Sequence, residues 1–315
     1  MTNLIYSNYL KVKDFNFSEN YYADITNKPF KTKENIEALY KRYKKSATFK
    51  EVFKGYDLKE IILANTEELK EIVDIIEPRI SKLTQRKTKN LYNKVKYLFN
   101  YATKYQSSAI TPFFTENFDF RTCFYCNKDF ITNFESKKKV STFQLDHFYD
   151  KDTYPYLALS FYNLIPSCPT CNSKKVKGSA NCFKTCEPPN SENFYFNEKV
   201  KFKLYLNESC KDLHLKSKDD IDINLKENYS NEYKKYIEVF KLNERYKAHK
   251  DIVFDMIEKA ELYPESRLKE LQDLTGIPFQ QIKKDIFKLI DEDTDLSEKP
   301  FSKLIKDISE ELGLI

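Results

Sequence analysis

The sequence predicts an α+β protein that is predominantly helical. Three observations lead there: apolar residues recur at helical spacing in the N-terminal and C-terminal stretches, short apolar runs of strand character lie in the middle, and two CxxC pairs bracket that middle. The chain accordingly divides into a basic helical region over residues 1–110, a core with a zinc site over 111–190, and a hairpin plus helical region over 191–315.

In the first region Ile36, Leu39, Tyr40, Tyr43 and Ala47 recur at helical spacing. Asn65 with Glu68 forms a capping box ahead of Leu69, Ile72 and Ile76, and Pro78 is expected to break or kink that helix. A further helix carries Leu91, Val95, Leu98 and Ala102 on its buried face, and a loop over 107–117, with Pro112, leads to the first cysteine pair. In the core, residues 142–147 and 163–167 read as strands and 170–175 as the start of a helix. Pro188-Pro189 and Ser191 mark a boundary. Phe194 and Phe196, then Val200, Phe202 and Leu204 past a turn near Asn197, read as a hairpin. The tail is helical, with one stripe of Tyr246, Ile252, Val253, Met256, Ile257 and Ala260 and another of Leu304, Ile305, Ile308 and Leu312.

At 315 residues the chain can form two or three modest domains. Scarce glycine, absent tryptophan and abundant Lys, Asn, Ile, Tyr and Phe fit AT-rich coding rather than function. The net charge of +5 is unevenly spread: 21 basic against 13 acidic residues over 1–110, 10 against 8 over 111–190, and 22 against 27 beyond. No window approaches the roughly 18 apolar residues of a membrane span, and MTNLIYSNYL has no signal-peptide pattern, so we expect a cytoplasmic protein with no membrane partner. In a reducing compartment paired cysteines favour metal over disulfide.

Cys123, Cys126, Cys168 and Cys171 supply the four thiolates of a tetrahedral structural zinc site. The gap between the pairs, about forty residues, exceeds the usual zinc-ribbon spacing of about 15 to 20, so the zinc clamps the base of an insert. The insert holds Asp146, His147 and Asn163, and Asn172 follows the last cysteine. Phosphodiester hydrolysis needs a base for the attacking water and positive charge at the leaving oxygen. His147 suits the base, Asp146 and Asn172 offer hard oxygen atoms of the kind Mg2+ prefers, and Lys174 and Lys175 suit phosphate.

The stretch CFYC, LDH and NLIPSCPTCNSKK, over about residues 121–177, resembles the HNH nuclease family. The resemblance implies a small ββα-metal core stapled by zinc on Cys123, Cys126, Cys168 and Cys171. It implies His147 as general base, Asp146 and Asn172 as ligands of a catalytic Mg2+ or Mn2+, and Asn163 as a brace for the loop that holds His147. The implied reaction cuts DNA to leave a 5′-phosphate and a 3′-hydroxyl. Asn172 stands where many members carry His, and residues 148–162 lack the Gly- and Ser-rich turn common after the first His. NERYKAHKDIV, around Arg245 to His249, is similar to C-terminal regions of HNH proteins from anti-phage operons such as Septu-type systems, which pair an HNH subunit with an ATPase. The terminal segment, with Phe301, Leu304, Ile305, Ile308 and Leu312 at helical spacing, suits either docking on a second copy or a partner such as an ATPase, or packing on its own domain.

Arg79, Lys82, Arg86 and Lys89 follow one another at spacings of three, four and three, which would put four cations on one helical face, either for nucleic-acid contact or as solvated surface. Cys182, Cys186 and Cys210 have no complete ligand set and read as buried thiols, and His214 and His249 read as structural. The expectation is a metal-dependent HNH endonuclease acting on DNA. The alternatives are a zinc-stapled binding or scaffold module without catalysis, and an RNA-directed nuclease.

Overall fold

The computed structural model describes residues 1–136, 139–207, 215–291 and 293–315, so Cys210 and His214 lie outside the described residues. The chain is α+β and predominantly helical, and it forms two compact units. One comprises Asn3–Phe124 and Phe130–Phe194; the other comprises Met1–Thr2, Tyr125–Asp129 and Tyr195–Ile315. Among the described residues no helix is long and apolar enough to cross a membrane.

The first unit opens with helices α1 (Phe17–Thr26), α2 (Ile36–Tyr43), α3 (Ala47–Val52), α4 (Leu58–Leu63), α5 (Thr66–Ser81) and α6 (Gln85–Leu98). Their starts are written in side chains. Asn16 and Asn35 accept from the third backbone N–H of α1 and α2, and full capping boxes, Asp57 with Glu60 and Asn65 with Glu68, start α4 and α5. Ala47 opens α3 rather than extending α2, because the chain turns at residues 44–46.

Helix α5 runs through Pro78 to Ser81 without breaking; the proline lacks one interior N–H, and less than a full turn follows it. Two expectations fail here. Ala102 is exposed, because α6 ends at Leu98 and the chain restarts as a π-helical segment, Tyr101–Ile110, that continues into α7 (Thr111–Asn117). The expected loop over 107–117 is therefore helical, with Pro112 in the first turn of α7, where a missing N–H is tolerated.

Aromatic side chains fill the middle of this unit. Phe161 lies 4.6 Å from the ring of Tyr6, 5.1 Å from Tyr21 and 5.1 Å from Phe114 (centroid distances), and Phe118 and Phe120 stack at 5.4 Å. Two of these rings also reach backbone. Tyr6 donates to the carbonyl of Leu164 at 2.5 Å, and Tyr21 to that of Leu159 at 2.9 Å. The unit also holds two antiparallel hairpins, β1 (Asn133–Glu135) with β2 (Lys139–Ser141), and β3 (Gln144–His147) with β4 (Leu164–Ser167), and the Tyr6 hydroxyl reaches the first residue of β4.

The second unit holds α8 (Phe196–Lys199), β5 (Val200–Leu206), β6 (Ile221–Glu227), α9 (Lys234–Val239), α10 (Leu242–Tyr246), α11 (Lys250–Leu262), α12 (Glu265–Thr275), α13 (Phe279–Phe287) and α14 (Ser302–Glu311). The hairpin is there in a different pairing. Phe194 lies outside any strand and Phe196 begins a short helix, while β5 pairs with β6 from Val200↔Glu227 to Leu206↔Ile221. The expected stripes bury Val253, Met256 and Ile257 on α11, Tyr246 at the end of α10, and Leu304 and Ile308 on α14. Helix α14 packs along β5, where Asp307 accepts from the Phe202 N–H at 2.8 Å and Glu311 from the Leu204 N–H at 3.0 Å.

Candidate metal centre and adjoining cleft

The first CxxC knuckle is closed by the antiparallel bridge between Thr122 and Phe130 and by the Ile131 N–H donating to the Arg121 carbonyl at 2.9 Å. The second follows the end of β4, so the β3–β4 pairing sets its position. All four sulfur atoms, on Cys123, Cys126, Cys168 and Cys171, are buried and lie within 4.8 Å of one another. Thiolates about 2.3 Å from one tetrahedral ion stand about 3.8 Å apart, so the cluster is of the right size to bind zinc. Backbone N–H groups support the sulfurs: Cys168 donates to Cys123 Sγ at 3.3 Å, and Cys171 to Cys168 Sγ at 3.4 Å. Cys182 and Cys186 are buried and belong to no group of potential metal ligands among the described residues.

The stretch around Arg245 has a defined place. Arg245 Nη2 lies 3.7 Å from Cys126 Sγ and 3.5 Å from Asp129 Oδ2, and the Tyr246 hydroxyl donates to the Cys126 carbonyl at 2.6 Å. His249 Nε2 lies 3.0 Å from Lys128 Nζ.

Strand β3 delivers Asp146 and His147 side by side, opposite Ile165 and Leu164 of β4. His147 is buried; its Nε2 lies 3.0 Å from the carbonyl of Ala158, and its ring meets Tyr101 edge-on at 4.4 Å. A carbonyl can only accept, so Nε2 carries the hydrogen and Nδ1 keeps a lone pair. Burial pushes the His147 pKa down to about 3, against a smaller upward pull from the Ala158 hydrogen bond.

Asn163, fully buried immediately before β4, ties down the segment after His147. It accepts from the Tyr149 N–H at 2.8 Å and donates to the carbonyls of Tyr149 and Leu157 at 3.1 and 3.2 Å.

Past Cys171 the expected helix is absent. Residues 169–179 form successive turns, with the Ser173 hydroxyl on the Thr170 carbonyl and the Lys177 N–H turned back onto the Cys171 carbonyl at 3.2 Å. Gly178 allows the turn to close: its φ is +51°, and a Cβ there would stand 3.2 Å from Lys174 Cα. The core is thus two strands and a turn, not a regular ββα unit.

The turns deliver a residue that no sequence pattern singles out. Lys177 is buried, and its Nζ lies 2.9 Å from Asp146 Oδ2 and 2.7 Å from the His147 carbonyl. Asn172 donates through Nδ2 to Gln144 Oε1 at 3.0 Å, leaving Oδ1 as its acceptor. Asp146, His147 and Asn172 line one cleft of about 660 Å³ with Tyr101, Asp150, Lys174 and Lys177. Lys175 is exposed and does not line it.

Comparison with known proteins shows a local similarity. A 32-residue stretch is 53% identical to Septu protein PtuB of Bacillus thuringiensis. The match covers 10% of this chain and 12% of that protein. No family model matches the sequence, and no solved structure matches it.

The supposed cationic face does not form. Helix α5 ends at Ser81 and α6 begins at Gln85, so Arg79 lies in α5 with Lys82 at its C-cap, while Arg86 and Lys89 lie in α6. Arg79 Nη1 is committed to the carbonyls of Val52 and Lys54 at 3.0 and 2.7 Å. Lys82, Arg86 and Lys89 are exposed.

Proposed function

We propose that the chain is a metal-dependent endonuclease of the HNH type that hydrolyses phosphodiester bonds in DNA, acting in anti-phage defence. The observation that carries this reading is one cleft lined by a neutral buried imidazole, a carboxylate and an amide oxygen, with Lys174 beside them.

In this reading His147 holds its hydrogen on Nε2 against Ala158 and takes the proton of an attacking water at Nδ1. Asn163 fixes the backbone at Tyr149 and so holds the segment beyond the base in place. Asp146 and Asn172 Oδ1 fit a hard divalent ion, and the ammonium already set against Asp146 marks a place that accepts positive charge. When bound there, Mg2+ or Mn2+ supplies charge that stabilises the leaving 3′-oxygen. Lys174 meets a phosphate oxygen of the substrate as a point charge. Zinc on the four cysteines is structural, holding the base of β3–β4. The local similarity to a Septu protein, with the resemblance of residues 243–253, supports a defence setting in which a partner ATPase or self-association directs the nuclease.

A second reading has its own support. Asp146 is paired with Lys177 and His147 with Ala158, as they would be in a zinc-stapled module that performs no chemistry. Incubation of supercoiled plasmid with the protein, Mg2+ and a His147→Ala control separates the two, with RNA offered in parallel. Nicking by the wild type that falls at least about a hundredfold in the variant supports the nuclease. Equal nicking by both proteins, or none by either, rejects it.

A further inference from the structure

We infer that Lys177 is a resident counter-cation that holds Asp146 when no divalent ion is bound and competes with the metal for that carboxylate. The inference rests on the metal-site part of the proposed function and adds a residue and a regulatory consequence to it.

The observation is a buried charge pair inside the cleft. Lys177 and Asp146 side chains are 1% and 4% exposed, and the ammonium bridges Asp146 Oδ2 and the His147 carbonyl. Its neighbours Lys174 and Lys175 are exposed, so the burial is particular to this lysine. The backbone enforces it, because the Lys177 N–H returns to the Cys171 carbonyl and Gly178 takes a left-handed conformation immediately after.

A divalent ion on Asp146 would sit about 2.1 Å from a carboxylate oxygen. The ammonium at 2.9 Å already uses that group, and like charges repel more strongly where burial reduces screening. Metal entry on either oxygen of Asp146 therefore meets repulsion that Lys177 relieves by giving up Oδ2. The unbranched stem of lysine lets the ammonium turn from Asp146 toward a substrate phosphate, which would couple metal binding to the arrival of nucleic acid. Without substrate, affinity for the divalent ion is held low.

The test is Mn2+ binding followed by electron paramagnetic resonance on zinc-loaded, full-length protein without DNA. The proteins are wild type, Lys177→Met, Lys177→Gln, Asp146→Asn and the Lys177→Met/Asp146→Asn double variant. Circular dichroism and zinc content report that each is folded. We expect Lys177→Met to bind Mn2+ at least tenfold more tightly than wild type, and the double variant to lose that gain. Lys177→Gln removes the charge while keeping a hydrogen-bond donor, and serves if the Met variant is misfolded. Unchanged or weaker Mn2+ affinity in the folded Lys177 variants overturns the inference. If affinity also survives Asp146→Asn, the metal site itself is wrong and the proposed function fails with it. If Asp146→Asn abolishes binding while the Lys177 variants match wild type, the metal site stands and the inference alone falls.

Discussion

His147 is held by a carbonyl on one side and a ring on the other, and burial makes its protonation costly. The sign of the pH dependence follows. The unfolded histidine takes up a proton near pH 6.5, while the folded one stays neutral down to about 3, so the contribution to stability is full above pH 6.5 and is lost as pH falls toward 3. Between pH 7 and pH 5 this group should remove about 2 kcal/mol from the unfolding free energy. Denaturant titrations of wild type and His147→Asn at both pH values check it, and an identical pH slope in the two proteins would refute it. Asn163 gives a second test. Asn163→Asp should destabilise more than Asn163→Ala, because a carboxylate cannot donate to the carbonyls of Tyr149 and Leu157 and would face both of them. Thermal unfolding decides the order.

Asp146, His147, Asn163 and Asn172 could be picked out of the sequence because they fall in a fixed order among the cysteines. Tyr101 could not, since it arrives from a helical segment 46 positions before His147 through packing that no local spacing encodes. Lys177 had no signal either. In a run of lysines, only a turn decides which one points inward.

Among the elements, caps and amphipathic stripes were the legible part, because the residues of each signal lie within one or two helical turns. The turns after Cys171 were not. Residues 170–175 would suit the start of a helix, but the hold of the Ser173 hydroxyl on the Thr170 carbonyl and the left-handed Gly178 favour successive turns. Gly178→Ala should therefore cost about 1 kcal/mol or more and loosen the hold on Lys177, measurable as a lower unfolding midpoint. A midpoint equal to wild type would show that the turn tolerates a side chain. The basic positions can be tested as the structure leaves them. Replacing Lys82, Arg86 and Lys89 with Gln, while sparing the backbone-bound Arg79, should flatten the dependence of log affinity for duplex DNA on log salt by up to about 0.9 for each phosphate left unneutralised. An unchanged slope would leave those side chains as solvated surface.

For the whole molecule, both terminal regions were expected to be helical, but the grouping of N-terminal helices with the β3–β4 hairpin was not foreseen. It depends on aromatic pairs such as Tyr21 with Phe161, which are far apart in the chain. For the terminal stripe, packing on its own domain was the expected alternative to docking on a second copy or a partner. Helix α14 buries Leu304 and Ile308 in its own unit and satisfies backbone N–H groups of β5, so its apolar face is already used. A chain ending near Asp295 should lose stability in residues 195–295, seen as a lower melting temperature and faster proteolysis there, with no change in oligomeric mass. Unaltered melting with a change in mass would instead make α14 an assembly element.

The loop that carries Cys126 has one more consequence, for timing. Its Asn127 side chain donates to the Leu296 carbonyl and accepts from the Lys303 N–H, and the Asn127 carbonyl accepts from the Phe301 N–H, partners that lie 169 to 176 positions further along the chain. On a ribosome adding roughly 5 to 20 residues per second, those partners emerge roughly 8 to 35 s after the loop itself. The first knuckle must wait through that interval without these later supports, so a nascent chain stalled before Leu296 should hold its zinc less firmly than the full chain. Synthesis of residues 296–303 would then act as a clock on when the metal centre becomes firm.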